Sequence, residues 1–105
     1  MNFNEYQQAC KRTAGKFDTV HQAQCNWAMG LCGEAGEYTE LVKKEVFHQV
    51  VADRDKLKKE LGDVLWYLSQ CATVNDILLE DIAIANIEKL KARYPEKFVP
   101  GGGNR

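Results

Sequence analysis

A chain of 105 residues with 45% apolar and 28% charged side chains is sized for one globular domain, and its small core stands to gain from oligomerisation. A net charge of −1 gives no electrostatic case for nucleic-acid binding, which normally needs a basic face, although phosphate ligands stay open if a metal supplies positive charge. Cys10, Cys25, Cys32 and Cys71 lack CxxC spacing, which argues against structural zinc. The N-terminus does not read as a secretory leader and no apolar run is long enough to span a membrane, so reduced thiols and a cytoplasmic location are expected.

Four helical segments and no strand are predicted. The first runs from about Asn4, read as its N-cap, to Ala14, with Gly15 as the stop. After a connector over 16–20, a long second helix spans about His21 to His48, with Trp27, Leu31, Ala35, Tyr38, Leu41 and Val42 at helical spacing. Gly30, Gly33 and Gly36 interrupt it, and each glycine costs about 0.5–1 kcal/mol against alanine in a helix interior. A close helix crossing or room for a ligand would justify them, and both can hold. A loop over 47–53 leads to Asp53 as N-cap of a third helix carrying Leu57, Leu61, Val64, Leu65, Leu68 and Cys71. Asn75-Asp76 breaks the pattern. The fourth helix, about Leu78 to Arg93, carries Leu79, Ile82, Ala83, Ile87 and Leu90, and Pro95 ends it. The expected architecture is all-α, with about four antiparallel helices, one domain over 1–98, a flexible tail over 99–105 and a bundle completed by oligomerisation.

Two acidic pairs carry the chemistry. Counted at about 100° per residue from Glu34, the apolar residues Leu31, Tyr38, Leu41 and Val42 fall between about −20° and +80°, and Glu37 lies near −60°. Counted the same way from Glu60, Leu57, Val64, Tyr67, Leu68 and Cys71 share that arc and Asp63 again lies near −60°. Packed antiparallel, the stripes bring four carboxylates together. Buried like charges without a partner are expensive, so a hard divalent cation, magnesium or manganese, is the expected resolution. The alternative is that Glu37 and Asp63 are solvated and that Glu34 and Glu60 pair with lysines. A di-iron site is disfavoured, because neither His21 nor His48 completes a Glu-x-x-His motif.

On the fourth helix, Asn86 lies centrally in an apolar face, with Lys89 and Arg93 beside it. These are either a phosphate-binding set or a hydrogen-bonded core Asn with snorkelling stems. Trp27 and Tyr67 each lie two turns from an acid and displaced the same way, roughly 10 Å off, so they are either core or a platform for a nucleobase.

Taken together, Gly33-Glu34-Ala-Gly-Glu37, Lys59-Glu60-Leu-Gly-Asp63-Val-Leu-Trp-Tyr67 and Asn86-Ile-Glu-Lys89-Leu-Lys-Ala-Arg93-Tyr94-Pro95 resemble the MazG-type nucleoside triphosphate pyrophosphohydrolases, over nearly the whole chain. The resemblance implies hydrolysis of an NTP or dNTP between the α- and β-phosphates, with magnesium held by Glu34, Glu37, Glu60 and Asp63 and with Glu37 or Glu60 as general base. It further implies nucleotide contacts from Asn86, Lys89, Arg93 and Tyr94, and a homodimer or homotetramer. The competing expectation is a non-catalytic helical module that binds a nucleotide or a protein for regulation.

Overall fold

The computed structural model describes residues 1–103. Four helices follow one another: α1 (Phe3–Lys11), α2 (Val20–Phe47), α3 (Arg54–Val74) and α4 (Leu79–Arg93), with no strand among the described residues. The all-helical expectation holds. The flexible tail expected over 99–105 falls in part on residues 104 and 105, outside the described residues.

Local chemistry sets each boundary. The α1 N-cap is Asn2, not Asn4. Its side chain accepts from the Glu5 N–H at 2.8 Å, and the Glu5 carboxylate accepts from the Asn2 N–H at 3.1 Å, a reciprocal capping box. Asn4 instead donates to Glu80 on α4 at 3.0 Å. The helix closes at Lys11, short of the expected Ala14. Thr19 caps α2 and Asp53 caps α3 through their side-chain oxygens. After α3 the chain reverses through Asp76, whose φ of 56° is a left-handed conformation that Asp tolerates better than most residues. At the end of α4, Tyr94 has left the helical region (φ −130°, ψ 83°), as the proline that follows it requires.

α2 and α3 form an antiparallel hairpin, and they meet in descending register. Ala23 faces the level of Val74, Gly30 meets Tyr67, Glu34 lies near Glu60 and Asp63, and Tyr38 shares a cleft with Leu57 and Leu61. α1 packs on α3 and α4, while α4 packs on α1 and α3 and not on α2. Two glutamines tie this side together. Gln70 donates to the Cys10 carbonyl at 2.8 Å. Gln7 donates to Thr73 Oγ1 and the Ile77 carbonyl, both at 3.0 Å. The buried apolar core of one chain is small among the described residues, being Cys10, Trp27, Ala72 and Leu79.

Candidate metal centre

The acid end of the hairpin is set by helix phase. Glu34 and Glu60 lie at the edge of the facing stripes and are half-buried, while Asp63, one turn on, stays exposed. One carboxylate oxygen from each of Glu34, Glu60 and Asp63 comes within 4.8 Å of the others. Glu37 stands outside this trio on the exposed shoulder of α2, yet its charge still reaches Glu34. The Glu34 carboxyl is pushed above the ordinary carboxylate range, first by partial desolvation and then by the charges of Asp63, Glu60 and Glu37. Tyr6 on α1 is pushed up to about 12, by burial first, then by its contact with the Cys10 thiol, with a smaller push from Asp63.

Among the described residues, no cation relieves this clustering. Among the described residues, Lys43 with Glu40 is the ion pair formed, and no lysine or arginine reaches the trio. Three oxygen donors, converging, unpaired and open on one side, fit a hard divalent cation that keeps further positions for water or phosphate. The clearance around them fits as well: a methyl group built on Gly33, Gly36 or Gly62 would meet nothing within 4 Å. Gly30 differs, because a Cβ there would run into the ring of Tyr67. The close crossing and the open room inferred from the glycines therefore both exist, at different turns of one helix.

The other expected residues fall elsewhere. Trp27 is 6% exposed and packs edge-on against Phe17 and Trp66 and tilted against Tyr67, with centroids 5.4–6.0 Å apart, so its main engagement is with the core. Tyr67 is half-buried between Trp66 and Gly30. Asn86 and Lys89 are exposed on α4. Arg93 and Tyr94 are half-buried beneath the chain that follows them, where Gly103 lies against both and Phe98 packs on the Tyr94 ring.

Residues 22–98 match the MazG nucleotide pyrophosphohydrolase domain. The chain belongs to that family. It is also 34% identical over 113 aligned positions to the Gene 37 protein of Mycobacterium phage L5, covering 99% of this chain and 98% of the relative. No solved structure matches it. Membership in a family of metal-dependent nucleotide pyrophosphohydrolases gives the acidic trio its context, and no described helix is long and apolar enough to cross a membrane.

Sequence reasoning did not anticipate Gln7, Gln70 or the space around Asp18. The glutamines have no helical periodicity to mark them, since their partners lie 60–72 residues away. The weak signal available was a polar side chain on a face otherwise committed to packing.

Proposed function

We propose that this chain is a metal-dependent nucleotide pyrophosphohydrolase that cleaves (d)NTP between the α- and β-phosphates to (d)NMP and pyrophosphate, serving nucleotide-pool control or house-cleaning. The observation that carries the reading is the trio of converging carboxylates with no cation beside it among the described residues, in a chain of this family. Glu34, Glu60 and Asp63 hold Mg²⁺, or Mn²⁺ in its place, with Glu37 joining from the shoulder. A divalent cation there neutralises the phosphate oxygens and lowers the pKa of water. Glu37 or Glu60 takes the proton of the attacking water; its oxygen ends on one phosphorus as the P–O bond between the α- and β-phosphates breaks and pyrophosphate leaves.

Asn86, Lys89, Arg93 and Tyr94 serve as nucleotide contacts in this reading. α4 packs on α3 and not on α2 within one chain, and in this reading a second copy, in a homodimer or homotetramer, brings these contacts to the acids. Side chains such as Val46 (62% exposed) and Leu61 (48% exposed) supply apolar surface for that assembly.

The test is a panel of nucleotides with purified protein and magnesium, followed by pyrophosphate release. Glu37→Gln and Asp63→Asn are expected to abolish turnover with helical content intact. No turnover of any nucleotide, at protein concentrations comparable to substrate, would sink the proposal. Thermal protection by nucleotide without product would favour the non-catalytic module instead. Mixing Asp63→Asn with Arg93→Ala chains restores activity if copies share the site and leaves it absent if they do not.

A further inference from the structure

Along the same hairpin lies a cavity that the carboxylates do not use. It has a volume of about 350 Å³ and sits under the α1–α2 connector, with Phe17, Ala23 and Trp27 as apolar walls and Lys11, Asp18, Gln70 and Thr73 as polar ones. Trp27 is seven residues before Glu34 on α2, and Gln70 is seven after Asp63 on α3, so the cavity lies roughly 10 Å from the acid cluster. Sugar and phosphates bridge such a span when one end of a nucleotide is held by a metal.

The wall chemistry is specific. Gln70 is 3% exposed, and its carboxamide is oriented by donating Nε2 to the Cys10 carbonyl at 2.8 Å. That bond identifies the nitrogen and leaves Oε1 as an oriented acceptor without a partner among the described residues. Asp18 at the rim adds a carboxylate that no donor or cation engages among the described residues. Thr73 already accepts from Gln7 at 3.0 Å, so its hydroxyl proton remains to be donated, and Lys11 brings a second donor. Apolar walls beside one oriented carboxamide acceptor and a rim carboxylate, with Thr73 and Lys11 as donors, suit a heterocycle bearing an NH₂ group beside ring acceptors.

We propose that this cavity is the base subsite, and that Gln70 and Asp18 select bases with an exocyclic amino group over their keto counterparts. The identity of the ligand rests on the pyrophosphohydrolase reading above; the selectivity rests on the cavity. Base pairs of substrates that differ at this one group, cytosine against uracil and adenine against hypoxanthine nucleotides, isolate the effect.

Binding keeps the two readings separable. With α,β-methylene triphosphate analogues and magnesium, calorimetry should show the amino-bearing member of each pair bound about tenfold or more tightly, as expected for a hydrogen bond to a charged or buried acceptor. Asp18→Ala and Gln70→Met should bring the ratio toward one; if Gln70→Met does not fold, Asp18→Ala carries the test, since Asp18 is exposed. Ala23→Leu, which fills the cavity, should weaken every base-bearing analogue and leave base-free methyl triphosphate analogue binding unchanged. Equal binding of both members by the wild type, an unchanged ratio in Asp18→Ala, or equal weakening of the base-free analogue by Ala23→Leu overturns the subsite. Discrimination in binding with no product from hydrolysable nucleotides would leave the subsite standing and remove the enzymatic reading; product without discrimination would do the reverse.

Discussion

The two ends of the α2–α3 hairpin use the same backbone geometry for opposite purposes. At one end Gly30 admits the Tyr67 ring, and Trp27, Trp66, Tyr67 and Phe17 interlock, edge to face except for the tilted Trp27–Tyr67 pair, with centroids 5.0–6.0 Å apart. One to two turns away, Gly33 and Gly36 face open space, and the inter-helix contact is made by carboxylates that repel one another. Stability is concentrated in the aromatic end. The acid end is held in an unfavourable charge state by the packing of its neighbour, as the proposed metal site requires.

Substitutions can break this contrast or sharpen it. The largest expected effect is Trp27→Ala, which removes the centre of the aromatic cluster and should cost about 3–5 kcal/mol in urea unfolding. Gly30→Ala comes next: its methyl must displace Tyr67, and overpacking of this kind costs about 1–3 kcal/mol. Gly33→Ala is the matched control. Its methyl meets nothing, so the metal-free protein should gain about 0.5–1 kcal/mol from helix propensity. Equal losses in both glycine variants would show that the two ends are not different.

Ser69→Ala follows. The Ser69 hydroxyl is fully buried without a hydrogen-bond partner, so its removal should stabilise by about 1 kcal/mol. At the acid end the effects on the metal-free protein are smaller. Glu60→Gln should raise metal-free stability by a few tenths of a kcal/mol through relief of like-charge repulsion. The proposed site predicts that magnesium raises the wild-type Tm in a fluorimetric melt and that Glu60→Gln erases that rise.

The smallest expected effect is on pH dependence. Because the folded pKa of Glu34 is raised, its protonated form contributes stability that is fully present below the ordinary carboxylate pKa and is lost as pH rises through the raised value. In chelator, the Tm difference between wild type and Glu34→Gln should therefore favour the variant increasingly from acidic to neutral pH. A difference that shrinks over that range would mean the carboxylates are not clustered in the metal-free protein.

The helices and the acid register were legible because both follow from periodicity: a 100° step places Glu34 and Glu60 on facing stripes whatever the rest of the chain does. Asp53 was legible as a cap because it stands alone before its helix. The start of α1 was misplaced because Asn2 and Asn4 are both good caps. The choice between them is made by Glu5, three residues after Asn2, whose side chain returns to the Asn2 N–H. The glycines were only half legible. Spaced by three, they look alike along the chain, and only the hairpin register shows that Tyr67 falls on Gly30 and on neither of the others. Glu37 illustrates the same limit: angular phase put it on the shoulder, but could not say that Asp63 would come close to Glu34 while Glu37 stayed out.

The side chain of Gln7 has a consequence for how the molecule comes apart. The first helical turn of α4 has no side-chain cap of its own; the Leu79 N–H donates instead to Gln7 Oε1 at 2.8 Å, across from α1. α1 is nine residues long, too short to persist alone in water. Each segment thus completes the other, and partial opening should take both together, as one cooperative unit whose amide protons exchange at a common rate while the α2–α3 hairpin stays protected.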